Sequence, residues 1–365
     1  MKFTIEKDIL LENLTRSSHF TSSKLSTIPT LQGVLLKTDG EKIHFYSTNL
    51  NSFFHAAIAL KTDGEMQCII DPRKVGEFVN LLPGGPLEVD ITDKQLLITK
   101  GKTKGNFALM VAEDFPMPPV ISEKEQTLKT SFFKNNLPYV LFAASNDDAR
   151  PTLTGVNFVT NEDLIMVSTD GFRLSLIKTK KEIELPSVII PASFLGEVLK
   201  YVKDQKELVL SYSPQEKIIL FKLGDLEFYT RLIDGEFPPF DRVIPTEKTA
   251  TAIVEREELL RNVRLISVFA RDYSNVIILE FTKDGLRIKP KVQGEEENVA
   301  FQEITLEGEE HKVAFNFKFL LDFLNHVDDE KIIIELLRSN APVVFKSEKN
   351  KDFLHIIMPV RIQEG

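Results

Sequence analysis

One short sequence recurs along the chain. Pro29-Thr30-Leu31-Gln32-Gly33-Val34 returns 122 positions later as Pro151-Thr152-Leu153-Thr154-Gly155-Val156, and a weaker copy, Tyr273-Ser274-Asn275-Val276, follows after about the same interval. After each copy the sequence is typical of a strand that ends in a tight turn. In a chain of 365 residues this period predicts three copies of one domain. Serial domains can form an arc, and an arc that meets a second copy of itself closes a ring.

Two amphipathic segments recur in each third as well. Apolar residues at helical spacing predict one helix near the start of each third, over 6–17, 132–145 and 255–269. A second helix is predicted after Asp71, after Pro191 and after Phe315. Pro138 falls inside the first helix of the middle third, so that helix is expected to start late or to kink. About eight short alternating strands accompany the two helices in each third.

Proline-rich joints separate the thirds. Phe115-Pro116-Met117-Pro118-Pro119 and Phe237-Pro238-Pro239-Phe240 interrupt strand patterns, because proline fixes φ and cannot donate to a ladder. We therefore predict domains over 1–121, 122–246 and 247–365. The order helix, strands, helix, strands predicts an α+β fold in which each domain places two helices on one face of antiparallel sheet. Three such domains in series predict six helices on one side of the arc.

Composition limits the compartment and the class of protein. Cys68 is the single cysteine, which excludes an intramolecular disulfide and a site with several thiolates, and favours a reducing compartment. No apolar run has the length of a membrane span and no signal-peptide pattern opens the chain, so we expect a soluble, cytoplasmic protein without a membrane partner. The formal net charge of −9 argues against a broad basic surface that grips nucleic acid.

Motifs of catalysis are missing from the sequence. The histidines have no metal-ligand spacing, and no phosphate-binding loop or nucleophile elbow occurs. Asp147, Asp148 and Asp170 are the acidic candidates, but each lies in a segment where aspartate usually caps or turns the backbone. We therefore predict no enzymatic activity, no catalytic residue, no metal site and no cofactor.

Several apolar segments that also carry arginine fall at predicted strand ends and turns. They are Leu153, 169–174, Phe237-Pro238, Arg242-Val243 and 356–362. Together they suit a groove for a short amphipathic peptide, with pockets for large side chains and an arginine fork for oxygens. Packing of the joint between the middle and last thirds is the alternative, and the residues alone favour it.

The chain resembles a known family in several separate motifs. The segments Ser145-Asn146-Asp147-Asp148-Ala149-Arg150-Pro151 and Ser168-Thr169-Asp170-Gly171-Phe172-Arg173-Leu174 are similar to those of bacterial sliding clamps, the beta subunits of DNA polymerase III. Asp234-Gly235-Glu236-Phe237-Pro238, Phe315-Asn316 and Met358-Pro359-Val360-Arg361-Ile362 agree with the same family. The resemblance covers the whole chain in order.

This resemblance implies the DNA clamp fold, with three similar domains in each subunit and a ring-forming head-to-tail homodimer around double-stranded DNA. It implies no catalysis, since a clamp tethers the polymerase by topology. The implied partners are DNA without sequence preference, the replicative polymerase, the clamp loader and other proteins with clamp-binding motifs. A thin inner lining of Lys and Arg is then enough for DNA contact in an acidic protein.

The family's site residues carry over to this sequence by motif. The implied peptide pocket comprises Leu153, Thr169, Gly171, Phe172, Arg173, Leu174, Pro238, Arg242, Val243, Asn316, Phe319, Ile356, Met358, Pro359, Val360 and Arg361. The implied DNA contacts are Lys24, Arg73, Lys74 and Arg150. The implied dimer interface pairs Phe107 and Leu109 with Val268 and Phe269. The tail 363–365 extends past the usual family end and is expected near the pocket.

Two alternatives remain open at this point. One is a repeat-built scaffold that binds peptides and never encircles DNA. The other is a hydrolase that uses Asp147, Asp148 or Asp170.

Overall fold

The structure is a computed structural model, and it describes residues 1–22, 27–110, 114–202, 205–292 and 297–361. The architecture is α+β with antiparallel strand pairing throughout these ranges. The helices are α1 (Lys7–Ser18), α2 (Pro72–Leu81), α3 (Thr130–Asn136), α4 (Pro138–Leu141), α5 (Ala192–Tyr201), α6 (Arg256–Ala270) and α7 (Phe317–His326). Short 3₁₀ helices cover Pro29–Gln32, Pro151–Thr154 and Phe240–Val243.

The strands fall into three consecutive groups. The first group is β1 (Lys2–Glu6), β2 (Val34–Asp39), β3 (Lys42–Thr48), β4 (Ser52–Ala59), β5 (Glu65–Ile70), β6 (Pro86–Ile91), β7 (Gln95–Lys100) and β8 (Thr103–Ala108). The second is β9 (Gln126–Lys129), β10 (Gly155–Thr160), β11 (Asp163–Thr169), β12 (Arg173–Lys180), β13 (Val188–Pro191), β14 (Glu207–Ser213), β15 (Ile218–Leu223) and β16 (Leu226–Arg231). The third is β17 (Ala250–Glu255), β18 (Val276–Thr282), β19 (Gly285–Pro290), β20 (Ala300–Gln302), β21 (Thr305–Gly308), β22 (His311–Asn316), β23 (Lys331–Leu336), β24 (Val343–Ser347) and β25 (Phe353–Ile357).

The described chain forms two compact units. The first unit contains Met1–Ser131 and Glu197–Leu232, and holds a four-stranded sheet in the order β1-β6-β7-β8 and an eight-stranded sheet in the order β5-β2-β3-β4-β16-β15-β14-β9. Helices α1 and α2 pack together in this unit. The buried rings of Phe20, Phe54 and Phe228 lie within 6 Å of one another.

The second unit contains Phe132–Gly196 and the chain from Ile233 onward. Its sheets have the orders β13-β10-β11-β12-β25-β24-β23-β17-β21 and β20-β19-β18-β22. Helix α6 packs with α7, and the fully buried Phe323, Phe345 and Phe353 form part of the core. The two units divide the middle third of the chain, so the domain limits 1–121, 122–246 and 247–365 stay a prediction.

The strand orders repeat three times, as the sequence does. The set β5-β2-β3-β4 has the same internal order as β13-β10-β11-β12 and β22-β18-β19-β20. Likewise β1-β6-β7-β8 corresponds to β9-β14-β15-β16 and to β17-β23-β24-β25. The connections within each set are equivalent, so the repeat is one of topology as well as of sequence.

Steric crowding explains why the repeated motif carries glycine. A Cβ built on Gly33 would lie 2.3 Å from Cγ2 of Ile69, and one on Gly155 would lie 2.4 Å from Cγ2 of Ile189. These isoleucines belong to β5 and β13, which pair with the strands that start at the motif. Close approach of two strands therefore requires glycine at both positions.

Helix prediction was accurate at five of the expected starts and less so around Pro138. The expected helix over 132–145 is divided into α3 and α4, which meet at Leu137 directly before Pro138. Proline at the first position of α4 has no N–H to donate into the preceding turn, which explains the division. Over the described ranges, the chain has no helix with the length and apolar content needed to cross a bilayer.

Candidate peptide pocket and nucleic-acid surface

A cavity of about 190 Å³ opens on the second unit. Apolar side chains and the backbone of one turn form most of its wall. The lining residues are Leu153, Thr169, Gly171, Arg173, Leu174, Pro238, Pro239, Phe240, Val243, Ile356 and Met358. An apolar cavity with a few polar groups at its rim is the usual form of a site for a ligand side chain.

The turn between β11 and β12 forms one side of the cavity. Thr169 Oγ1 accepts from Gly171 N at 3.1 Å and donates to Arg173 O at 2.5 Å. Gly171 has φ +92°, a conformation that non-glycine residues rarely adopt. Asp170 Oδ1 accepts from the backbone N–H of Phe172 and of Arg173. The turn is thus fixed by its own side chains before any ligand binds.

Arg173 is the most constrained polar side chain of the site, with 9% of its surface exposed. Its Nε donates to Asp170 Oδ2 at 3.0 Å and its Nη1 donates to Asp322 Oδ2 at 2.6 Å. The guanidinium carbon also lies 4.8 Å from the ring centre of Phe319 and 5.8 Å from that of Phe142. These contacts tie the turn after β11 to helix α7 and leave the guanidinium largely engaged within the protein.

Behind the cavity lies an apolar cluster of Val167, Leu174, Leu176, Val344 and Ile356. These side chains come from β11, β12, β24 and β25, which are neighbours in the nine-stranded sheet. The floor of the cavity is therefore part of the sheet, and its shape is set by strand register.

A buried histidine lies on the opposite face of the same strands, since His355 and its register partner Ser175 alternate with the cluster residues Leu174 and Ile356. Nδ1 of His355 is 2.6 Å from Ser175 Oγ, while its Nε2 has no hydrogen-bond partner among the residues that the structure describes. The ring stacks on Phe323 at 5.1 Å. Burial, with the positive charge of Arg173 as a smaller cause, holds the pKa of His355 well below its ordinary value. His355 is therefore a neutral core residue at physiological pH.

Several residues predicted for the pocket do not line the cavity, although contacts connect some of them to the residues that do. Phe172 is 59% exposed and stacks on Phe319 with ring centres 6.4 Å apart. Phe172 O accepts from Met358 N, and Asn316 caps α7 by accepting from Lys318 N. The residues predicted for the pocket that do not line the cavity are Phe172, Arg242, Asn316, Phe319, Pro359, Val360 and Arg361. The tail 363–365 lies outside the described residues.

Sequence reasoning missed several residues at this site. Pro239 and Phe240 line the cavity, although they were assigned only to a proline-rich joint. Asp322 was missed as the partner of Arg173, yet it follows Phe319 by three positions on α7 and so shares its face. That helical spacing was the available signal. The contact with Phe142 had no comparable signal, because it depends on tertiary packing.

The predicted DNA contacts lie in different places. Arg73 and Lys74 occupy the exposed first turn of α2, where Asp71 Oδ1 accepts from both of their backbone N–H groups. Basic side chains at a helix N-terminus oppose the macrodipole, so stability alone does not favour them there. Arg150 instead lies beside the pocket turn, with Nη1 3.2 Å from the position of a Cβ built on Gly171. Lys24 falls outside the described residues.

The residues predicted for the dimer interface differ in exposure. Phe107 on β8 is 8% exposed and packs edge-on against Phe78 at 5.4 Å, so it belongs mainly to the core of the first unit. Leu109 is half-buried. On α6, Val268 is 50% exposed and Phe269 is 38% exposed. The apolar surface on α6 is therefore open to a partner.

The acidic candidates for catalysis are engaged in turns. Asp147 accepts from Ala149 N at 3.1 Å and from Arg150 Nε at 3.0 Å. The bond from Arg150, followed by that from Ala149, lowers the pKa of Asp147. Asp148 is exposed, and Asp170 is bonded to the turn and to Arg173. Across the ranges that the structure describes, no group of three or more His, Cys, Asp or Glu side chains is arranged to hold a metal ion.

Comparison with known families defines the class of this protein. Three models match in tandem: the N-terminal domain of the DNA polymerase III beta subunit over residues 1–119, its central domain over 127–239 and its C-terminal domain over 241–361. The chain is therefore built of three consecutive beta-subunit domains. It belongs to the DNA polymerase III beta subunit family, which confirms the resemblance seen in the sequence.

Individual relatives agree with this assignment. The chain is 28% identical to the beta sliding clamp of Bacillus subtilis and 29% identical to that of Halalkalibacterium halodurans, covering 99% of this chain and 100% of each relative. Among solved structures, the DNA polymerase III beta subunit of Thermotoga maritima has a TM-score of 0.91 at 26% identity, covering 99% of this chain and 100% of that one. The sliding clamp of Bacillus subtilis has a TM-score of 0.90 at 26% identity over the full length of both chains.

Proposed function

We propose that this protein is a DNA sliding clamp. In this proposal two copies join head to tail, encircle duplex DNA and tether the replicative polymerase through the pocket on the second unit. The clamp catalyses no reaction and needs no cofactor, because it keeps its partner on DNA by topology. Membership of the beta subunit family and full-length similarity to beta sliding clamps support it.

The observation that carries the proposal concerns two open strand edges. Within the chain β4 pairs with β16, and β12 pairs with β25, in both cases joining equivalent edges of the repeated strand sets. The next pair in this series is β20 with β8, and each ends its four-stranded sheet unpaired within the described chain. An unpaired edge presents N–H and C=O groups that readily join another strand. Pairing β20 of one copy with β8 of the second would complete the series.

Apolar side chains beside these edges favour the same arrangement. Val268 and Phe269 on α6 are exposed, as are Leu265 and Tyr273. Phe107 lies on β8 and Leu109 directly follows it. Burial of such a surface against a second copy removes apolar area from water, which is the usual driving force for a homodimer.

The charge of the chain suits a clamp that moves along DNA. A net charge of −9 disfavours tight non-specific binding over the whole surface. Arg73 and Lys74, exposed at the start of α2, are proposed to contact phosphates without reading sequence. Arg150 is assigned to the pocket rim in preference to DNA, because of its position beside Gly171.

The pocket is proposed to receive a short peptide from polymerase, clamp loader or repair proteins. Its apolar cavity of about 190 Å³ suits one or two large apolar side chains. Since the guanidinium of Arg173 is engaged by Asp170 and Asp322, the exposed Arg150 and Arg242 are better placed to meet polar groups of the peptide. We retain domain limits at 1–121, 122–246 and 247–365, and a cytoplasmic location, as parts of this proposal.

Topological binding can be tested by retention on DNA. The protein is assembled on nicked circular duplex with a clamp loader and is then separated from free protein by gel filtration at raised salt. We expect retention on circles and loss after a restriction enzyme linearises them. Equal retention on circular and linear DNA would contradict encirclement.

Charge reversal distinguishes a clamp from a peptide scaffold that never encircles DNA. We expect the double variant Arg73→Glu/Lys74→Glu to lower processive synthesis by polymerase. The matched control is Lys61→Glu/Lys124→Glu, which changes the net charge equally at exposed positions elsewhere in the first unit. If both double variants support processivity as well as the unchanged protein does, the scaffold is the better explanation. Turnover of a hydrolysable substrate that Asp170→Asn abolishes would instead revive the hydrolase.

A further inference from the structure

Four side chains in the first unit form one continuous hydrogen-bonded chain. His44 Nε2 lies 3.2 Å from Asp39 Oδ2, and His44 Nδ1 lies 2.9 Å from His55 Nε2. His55 Nδ1 then lies 2.9 Å from Glu227 Oε2. Each imidazole is thus placed between the other imidazole and one carboxylate. The side chains of both histidines are mostly buried, with 17% and 15% of their surface exposed.

These three hydrogen bonds need more N–H protons than two neutral imidazole rings supply. Each of the three contacts requires one N–H, since carboxylate oxygens and unprotonated ring nitrogens only accept. Two neutral imidazoles carry two N–H groups together, so one contact would bring two lone pairs face to face. One additional proton satisfies all three contacts, whereas a second additional proton would set N–H against N–H between the rings. The geometry therefore fits one extra proton on the pair.

The surroundings stabilise a single positive charge. The pKa of Asp39 is lowered to about 2, mainly by the backbone N–H of Lys42 and then by His44, and that of Glu227 is lowered to about 2, mainly by His55. Both carboxylates are therefore ionised near neutral pH. The ring of Tyr46 stacks on His55 with centres 4.4 Å apart.

The other groups that face the pair come from neighbouring strands. Tyr229 donates its hydroxyl to Glu227 at 2.8 Å, and Lys222 Nζ lies 3.6 Å from the second oxygen of Glu227. Lys222 is itself paired with Glu125 at 2.9 Å. Lys37 is the exposed register partner of His44 on β2. The charge of Lys222 is thus neutralised by Glu125, and the carboxylates of Asp39 and Glu227 remain directly against the histidines.

The chain of contacts crosses the junction between two family domains. His44 on β3 and His55 on β4 lie in the N-terminal domain, whereas Glu227 on β16 lies in the central domain. His55 and Glu227 are direct partners in the register that joins these strands. We propose that His44 and His55 form a binding site for one shared proton, which strengthens the junction between the N-terminal and central domains near neutral pH.

The sign of the pH dependence follows from counting protons. In the unfolded chain each histidine titrates near about pH 6.5, so the two carry close to two extra protons at pH 5.5 and close to none at pH 8. In this proposal the folded pair holds one extra proton throughout, because its three contacts need one N–H more than two neutral rings supply. Stability rises with pH while the unfolded state binds more protons and falls once it binds fewer. The pair therefore contributes a stability maximum near about pH 6.5, with unfolding equilibrium constants that change by up to tenfold per pH unit on either side.

The experiment compares unfolding of the full chain in urea between pH 5.5 and 8.5. We expect the difference between the unchanged protein and His44→Gln/His55→Gln to pass through a maximum within this window. The matched control His19→Gln/His311→Gln removes two histidines that are not joined to each other, and its difference curve should have no maximum. A monotonic or flat curve for the first pair would overturn the proposal.

Nuclear magnetic resonance of the ring nitrogens provides a measurement that does not depend on unfolding. We expect the two rings together to carry one extra proton across the window, that is three N–H groups in all, and His44→Gln to change the titration of His55. Separate uptake of a full proton by each ring, with His55 unaffected by His44→Gln, would contradict a shared site. The result is independent of whether the protein encircles DNA.

Discussion

Replacing Arg173 with methionine tests which contacts stabilise the turn between β11 and β12, which forms one side of the pocket. Arg173 is 9% exposed, Asp170 is 15% exposed and Asp322 is 44% exposed. Methionine keeps a similar length and an apolar stem while removing both ion pairs and the stacking of the guanidinium on Phe319. The variant therefore isolates the charge at this position from loss of volume.

The expected loss of stability depends mainly on Asp170, the more buried of the two carboxylates. Breaking a buried pair by removing one partner costs about 3–5 kcal/mol, because the remaining charge is left without compensation. Asp322 regains water when Arg173 is lost, and Asp170 still accepts from two backbone N–H groups. We therefore expect the lower end, a fall of about 3 kcal/mol in the free energy of unfolding. Asp322→Asn should cost less, about 1 kcal/mol, since it removes only a half-exposed partner.

Urea denaturation monitored by circular dichroism measures these differences in the free energy of unfolding, from the midpoint and slope of the transition. Arg242→Met is the matched control, because Arg242 is an exposed arginine near the same cavity, and it should change stability by no more than about 0.5 kcal/mol. If Arg173→Met is as stable as Arg242→Met, the two ion pairs do not fix the turn. An Asp322→Asn loss larger than that of Arg173→Met would also refute this explanation.

Three other predictions follow from single residues. Gly171→Ala should lower the free energy of unfolding by about 1–2 kcal/mol, because φ is +92° at this position. Gly196→Ala in α5, where an added Cβ would meet open space, should raise it by about 0.5–1 kcal/mol. Matched urea curves measure both, and equal effects would be inconsistent with backbone strain at Gly171. Glu227→Gln should destabilise the protein at pH 7 and progressively less as the pH falls from about 4 towards 2. The reason is that the lowered pKa of Glu227 contributes stability only while the carboxylate is ionised. A difference in stability between variant and unchanged protein that is constant with pH would argue against this prediction. Cys68 should react with a thiol reagent only after unfolding, because burial raises its pKa to about 12, and rapid modification of the native protein would show that β5 opens locally.

Local patterns predicted the fold because the same pattern occurs three times. The strand patterns of β6, β14 and β23, alternating in the first two and more uniformly apolar in the third, could be compared with one another. So could the helical spacing of α2, α5 and α7. Pro138 was informative for the same reason, since it breaks a helix that the other thirds keep whole. Strand pairing between thirds, such as β4 with β16, had no local signal. It depends on the edges that tertiary folding leaves open.

The pocket was predictable only in part. The turn residues Thr169, Gly171 and Arg173 were identified by motif, because hydrogen bonds within the turn require those residue types at those positions. Phe240 and Asp322 reach the site from segments distant in sequence, through a 3₁₀ helix and a helix face. Which predicted residues line the cavity and which do not depends on strand register and packing, and neither is encoded in a short motif.

The two strand pairs that join equivalent edges show how one repeated unit can acquire different chemistry. In both, a histidine stands opposite a polar residue: His55 opposite Glu227 between β4 and β16, and His355 opposite Ser175 between β12 and β25. His55 retains contact with solvent and pairs with a carboxylate, whereas His355 is enclosed by phenylalanines and its pKa is lowered by burial. Environment therefore separates the two roles more than position in the repeat does. The third pair of edges, β8 and β20, stays unpaired within the described chain, so in the proposed dimer the chemistry at that junction depends on the residues that a second copy brings there.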